Sequence, residues 1–298
     1  MTRRTLACLL SSAVLLTGCG GSGSEPDDAA PTSGSTSADS SPTEPAEPSS
    51  TSAPADGPSY VALGDSFAAA PGVPTTSPAD GCFRSDANYA HVLAETAGLT
   101  LTDVTCSGAT TGSVLADQVP VLDETTDLVT LGVGGNDENL FASLLQRCFA
   151  SADPDAPGTP CTDLVGADVD RVLPVVADNV ATLLDAVVAA APNARVVVVG
   201  YPGLVPDEGT CPDLLPIAAG DYPLVERITT GLSDALRAGA EANDLDFVDL
   251  AGPSRGHDVC SAEPWVNGAV TSSDDAAPLH PFAVEQAAVA DLLRPLVP

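Results

Sequence analysis

From about residue 59 onward, continuous apolar runs bounded by turn residues alternate with stretches whose apolar positions return every three or four residues. Near-continuous apolar runs are the mark of strands buried on both faces, and the three-and-four spacing is that of helices with one buried stripe. Five runs read as strands, at 60–63, 101–105, 128–133, 195–199 and 247–250, with "RVVVVG" the fullest. Helices are expected at 88–98, with Asp86 near the N-cap, and at 137–148 and 224–243. The longest, 163–191, carries Val169, Leu173, Val176, Val180, Leu183 and Val187 in register, and Pro174 should kink or split it. Pro281 is placed to open a terminal helix. Strands alternating with helices predict a three-layer α/β/α sandwich around a central parallel sheet. Irregular excursions at 71–86, 148–162, 203–222 and 252–279 interrupt this pattern.

The first fifth of the chain has neither period. Residues 1–18 run from Arg3 and Arg4 through an apolar stretch too short to be a comfortable membrane span, which is the layout of a signal peptide. Leu16-Thr17-Gly18-Cys19 is similar to a bacterial lipobox, which makes Cys19 the expected lipidation site. An ordinary cleaved signal is the alternative. Residues 20–58 are almost wholly Gly, Ser, Thr, Pro, Ala and acid, with no aromatic residue. Such a segment buries too little apolar surface to offset its ordering entropy, so 19–58 reads as a lipidated cysteine and a disordered tether. The folded domain is then 59–298, exported and held at the outer face of the cell membrane, or secreted if Cys19 is not lipidated.

Cysteine and charge narrow the class. The domain holds Cys82, Cys106, Cys148, Cys161, Cys211 and Cys260, and export makes disulfides the default. Six thiols allow 15 pairings. Nearest-neighbour pairing is expected, since each bridge would then staple a loop-rich stretch. A zinc site is the competing reading, but no C-x-x-C pair occurs, so no metal is expected. The full chain carries 10 basic residues, all arginine, against 41 acidic ones, for a formal net charge of -31. Setting aside the two arginines of 1–18 and the seven acids of 20–58 leaves the domain 8 basic and 34 acidic residues, a net of -26. That excludes nucleic acid as a partner and confines membrane contact to the anchor. A tethered monomer is the default.

In open α/β sheets, active sites form at the carboxyl ends of strands, so the residues just beyond each run matter most. The first run ends in Gly64-Asp65-Ser66, the second leads into "CSGATTG" with Gly108, and the third into "GVGGND" with Asn136. The last polar cluster before the terminal helix is "DDAAPLHPF", with His280. These blocks, in this order, resemble the SGNH or GDSL hydrolases. The stretches "CFRSDANYAHVLA", "DLVTLGVGGND" and "GHDVC" are similar to that family's secreted bacterial esterase and lipase branch.

The resemblance implies a flavodoxin-like sheet order and a serine hydrolase without cofactor. Ser66 would be the nucleophile and His280 its base, with the backbone N–H groups of Ser66 and Gly108 and the Asn136 amide as the oxyanion hole. Many members carry an aspartate three residues before the histidine, where this chain has Ala277. Two readings stay open. In the secreted branch a main-chain carbonyl orients the imidazole, which would be that of Ala277; alternatively Asp274 or Asp275 folds back to do so. Asp65 is expected to organise its turn, Asp137 to cap the helix behind it, His257 to be structural, and Trp265 or Tyr201 to line an acyl pocket or pack locally. An extracytoplasmic esterase or lipase acting on a small-molecule or lipid ester is therefore expected, with a polysaccharide or cell-wall O-deacetylase and a catalytically silent binding lipoprotein as alternatives.

Overall fold

The computed structural model describes residues 57–150 and 153–298. The expected signal peptide, Cys19 and nearly all of the expected tether lie outside the described residues.

Five parallel strands form the central sheet in the order β4-β1-β5-β6-β7, where β1 is Ser59–Gly64, β4 Thr100–Asp103, β5 Leu128–Gly132, β6 Arg195–Val199 and β7 Asp246–Val248. Two short strands, β2 (Thr76–Ser77) and β3 (Arg84–Ser85), pair separately within the first excursion. The chain leaves β1 for one edge (β4) and then crosses back to build the other half from β5, so the direction of winding reverses beside β1. That reversal opens a crevice at the carboxyl ends of β1 and β5.

Alternation along each strand explains the layers. Val61 and Leu63 of β1 join Val129, Leu131, Val196 and Val198 in one core, which α5 (Pro160–Ala190) and α6 (Tyr222–Ala242) cover. Tyr60, Ala62, Val197 and Val199 point the other way, against α2 (Tyr89–Ala97) and α7 (Ala283–Leu293). The remaining helices are short α1 (Ser66–Ala69) and α3 (Thr111–Ser113), and α4 (Leu140–Ala150).

Several local expectations change. Pro174 sits inside α5 without splitting it, the helix being held along its length by buried Val165, Val169, Val172, Val176 and Val180. Asn88, not Asp86, caps α2, its Oδ1 accepting from the His91 N–H at 3.0 Å; Asp86 instead accepts from Thr75 N–H. The terminal helix begins at Ala283, because Pro281 is spent in a bridge to Val266. The disulfides are Cys82–Cys106, Cys148–Cys161 and Cys211–Cys260, the nearest-neighbour set. The first fastens the 71–86 excursion to the loop after β4, and the third fastens the two excursions that come after β6 and β7.

Candidate active site

Strand β1 ends at Gly64 with φ 145°, and a Cβ there would stand 2.6 Å from the Gly132 carbonyl oxygen, so only glycine lets β1 and β5 finish side by side. Asp65 comes next as the N-cap of α1, its Oδ1 accepting from Phe67 N–H at 2.9 Å. Ser66 is thereby the first helical residue, where a backbone N–H has no intrahelical acceptor and stays available to a ligand.

Gln118 closes the other side of the turn: its Oε1 accepts from Gly64 N–H at 2.8 Å and its Nε2 donates to Gly64 O at 3.0 Å. The amide thus satisfies Gly64 N–H and shares Gly64 O with the Cys106 N–H at the point where the sheet stops.

Asp65 is 1 % exposed, and burial pushes its carboxyl up to about 6. Tyr201, whose hydroxyl burial holds well above its ordinary range, donates to Asp65 Oδ2 at 2.5 Å and accepts from Gly135 N–H at 3.0 Å. One buried phenol therefore ties the turn of Ser66 to the glycine loop of Asn136. This is the organising role expected of Asp65, reached through a partner 136 residues away.

Asp137 differs from expectation. Its carboxylate accepts from Thr111 N–H and Oγ1 at 2.8 and 2.5 Å and from Asn179 at 3.0 Å, so it joins the start of α3 to α5 and does not cap its own helix. Beside it, Asn136 Nδ2 donates to Ala109 O at 3.0 Å, which leaves its second N–H uncommitted. The loops holding Gly108 and Asn136 are in this way joined by three hydrogen bonds. Gly108 is exposed with φ 83°; a Cβ there would meet nothing within 4 Å, so the backbone angle and not crowding is what asks for glycine.

Ser66, Asn136 and His280 line one cavity of about 220 Å³, together with Phe67, Phe141 and Leu204, while Gly108 is not part of its wall. The walls are mostly apolar. The Ser66 and His280 side chains line the cavity without a hydrogen bond between them.

The expectation for Ala277 requires correction. His280 Nδ1 lies 2.7 Å from the carbonyl oxygen of Pro278, while the Ala277 carbonyl accepts from the backbone N–H of His280 at 3.1 Å. The reason is a turn over 277–280 with proline second and Leu279 third at φ 58°, the pattern of a type II turn. Such a turn uses its first carbonyl to close the ring and rotates its central peptide outward, which carries Pro278 O to the imidazole. Asp275 is engaged with Ser273, and no carboxylate pairs with His280 among the described residues. Because a carbonyl only accepts, Nδ1 must carry the hydrogen, and Nε2 keeps its lone pair. Burial holds the imidazole below its ordinary value, with the Pro278 bond opposing. Phe67 packs against the ring at 5.7 Å between centroids.

Other candidates fall away from the chemistry. His257 stacks on Trp265 at 5.0 Å and bonds Glu263 O, and Trp265 is buried with Val259, Val266 and Leu204 without itself reaching the cavity wall. Tyr201 serves the Asp65–Gly135 link and is not part of the cavity wall. Pro278, Phe67 and Gln118 carry no sequence signature for their roles; only Pro-x-His, a proline ready to start a turn, pointed toward the first.

Comparison with known proteins fits this geometry. A family model described as "GDSL-like Lipase/Acylhydrolase family" matches residues 62–283. The chain is 39% identical over 248 residues to "Lipase 2" of Streptomyces coelicolor, covering 78% of this chain and 83% of that one. Crystal structures similar to it include a phospholipase A1 from Streptomyces albidoflavus (TM-score 0.71, 28% identity) and an extracellular lipase from Streptomyces rimosus (0.71, 26%). Each comparison covers 80% of this chain and 99% of the other.

Proposed function

The chain belongs to the GDSL-like lipase/acylhydrolase family and is a carboxylic ester hydrolase, and from that premise we propose that it works through an acyl-Ser66 intermediate with His280 as base. The observation that carries the proposal is the meeting of Ser66, Asn136 and His280 in one apolar cavity at the reversal point of the sheet. Ser66 Oγ attacks the ester carbonyl and gives its proton to His280 Nε2. The Asn136 amide and the N–H groups of Ser66 and Gly108 hold the oxyanion. Collapse expels the alcohol, which takes the proton back from His280. Water then repeats the sequence and releases the acid, freeing Ser66.

No aspartate is needed in this scheme. The Pro278 carbonyl fixes the tautomer and ring orientation that a carboxylate would fix, although as a neutral dipole it stabilises the imidazolium less. A Ser66–His280 dyad is the resulting proposal.

Phe67, Phe141, Leu204 and Leu279 favour an acyl chain over a sugar in the cavity, which argues for an esterase or lipase rather than a polysaccharide deacetylase. At about 220 Å³ it is smaller than typical enclosed ligand sites of roughly 300–1,000 Å³, so a short acyl chain fits wholly and a long one must run out over the surface. Export is supported by the three disulfides. Lipid attachment at Cys19 remains part of the proposal.

The test is hydrolysis of p-nitrophenyl esters from acetate to palmitate by wild type and Ser66→Ala. Loss of turnover in the variant, with an optimum at short chains, is the expected result. Turnover that survives Ser66→Ala removes the nucleophile from the scheme.

A further inference from the structure

Acyl transfer needs Ser66 and His280 at a fixed separation, yet Ser66 opens α1 and His280 stands just before α7, at the far end of the chain. The base is tied firmly to its own side. Leu279 N–H donates to Gly268 O at 3.2 Å, Asn267 N–H to His280 O at 3.0 Å and Phe282 N–H to Trp265 O at 2.8 Å. Phe282 is also the N-cap residue of α7, so the imidazole and that helix form one rigid piece. Whatever holds this piece against α1 sets the distance between nucleophile and base.

Two helix ends beside the site leave backbone groups without a helical partner. Four residues beyond Phe67 comes Pro71, which has no N–H, so the Phe67 carbonyl at the end of short α1 has no helical donor. Tyr89 opens α2, so its N–H has no helical acceptor. One side chain of α7 serves both: Gln286 Nε2 donates to Phe67 O at 3.0 Å, and its Oε1 accepts from Tyr89 N–H at 2.7 Å. Nε2 also donates to Glu285 Oε2 at 2.7 Å. Gln286 is 0 % exposed and Glu285 2 %, so water does not compete for these bonds. With two acceptors on the nitrogen side and one N–H on the oxygen side, the amide has a single satisfied orientation.

We propose that Gln286 is a positioning residue for acyl transfer, a strut that sets the spacing of Ser66 and His280 by joining the helix of the nucleophile to the helix behind the base. Phe67, the residue it grips, follows Ser66 directly and packs its ring on His280 at 5.7 Å and on Tyr201 at 5.0 Å. A slip of α7 past α1 is thereby felt at the nucleophile, at the base and in the cavity wall between them. The proposal rests on the acyl-Ser66 reading and adds to it a residue that touches neither substrate nor the reacting atoms.

The experiment measures kcat and KM on p-nitrophenyl butyrate, together with the urea midpoint, for the full chain and its variants. Gln286→Met keeps the reach of the side chain and removes its bonds. It should lower kcat by about tenfold or more with KM within about twofold, since a misplacement of roughly 1 Å costs up to about 10²-fold. Leu293→Ala, which loosens the buried face of α7 away from Phe67, should lower the urea midpoint and leave kcat within about twofold. Gln286→Glu restores a donor for Phe67 O only while the introduced carboxyl is protonated. Glu285 and Tyr89, the titratable groups in contact with that position, are raised by burial and keep their own protons at pH 6. Its kcat relative to wild type should therefore be within about threefold at pH 6 and fall by pH 8, and this ratio decides the matter if Gln286→Met does not fold. Wild-type kcat in Gln286→Met, equal kcat losses in Gln286→Met and Leu293→Ala, or a Gln286→Glu ratio indifferent to pH would each overturn the strut. Those outcomes leave Ser66 in place as nucleophile, because its role fails only if turnover survives Ser66→Ala.

Discussion

The two halves of the candidate site are held by different means. Around Ser66 and Asn136 the backbone is fixed by buried side chains acting in several directions: Gln118 on Gly64, Tyr201 between Asp65 and Gly135, and Asp137 between Thr111 and Asn179. His280 stands on an irregular loop and is held by one carbonyl, one aromatic ring and a turn with Leu279 in the left-handed region. The oxyanion side therefore depends on side chains that mutation can delete, while the base side depends on a backbone atom that mutation cannot. The first should be sensitive to subtle substitutions, and the second more tolerant of them so long as the imidazole stays.

The largest effect bounds the comparison. If His280 is the base, His280→Ala should lower kcat by about 10³-fold or more while KM changes little, measured on p-nitrophenyl butyrate, because among the described residues it is the one titratable side chain in the cavity wall with Ser66. The wild-type acid limb should fall below pH 6.5, since burial lowers His280 and only the neutral ring accepts the proton. An acid limb above that value would contradict the desolvated environment.

Next comes Tyr201→Phe, which removes one oxygen from the rigid half. It strands a buried Asp65 oxygen and the Gly135 N–H, and each orphaned group costs about 1–3 kcal/mol. We expect a clear fall in the urea midpoint together with a lower kcat. An unchanged midpoint and kcat would mean that the network is not what holds the loops.

Glu285 tests a carboxyl behind the site. It is 2 % exposed, shares Nε2 of Gln286, whose other bonds reach Phe67 O and Tyr89 N–H, and burial raises it to about 8. A carboxyl raised above its unfolded value of 4.5 binds its proton more tightly in the folded state. Its contribution is complete below pH 4.5 and is lost as pH rises through about 8. Glu285→Gln should remove that loss, so the urea midpoint of the variant should fall less than that of wild type between pH 5 and pH 9. The smallest effect is assigned to Pro278→Ala. The acceptor oxygen survives the substitution, so kcat should stay within about threefold, and a large loss would show that ring rigidity, not the carbonyl, orients His280.

Much of this arrangement is legible in the sequence because it is written in local patterns. The strand runs at 60–63, 128–133 and 195–199 correspond to β1, β5 and β6 within a residue, since a strand buried on both faces leaves few positions for polar residues. Ser66, Asn136 and His280 stand out for the same reason, being polar residues where strands or turns end. Other features left no local trace. Tyr201 meets Asp65 and Gln118 meets Gly64 across 136 and 54 residues, distances that no periodicity spans. Asp86 and Asn88 are both competent caps, and only the path of the chain out of β3 chose between them.

By itself, the sequence determined the layers, the order of the elements and the residue types that could perform acyl transfer, because burial and period act over a few residues at a time. Tertiary structure alone decided which carbonyl meets His280 and that Gln286 joins the helix behind His280 to the helix begun by Ser66. Those outcomes turn on the rotation of a single peptide at Leu279 and on the seating of α7 against α1 and α2, and both are settled by packing between segments far apart in the chain.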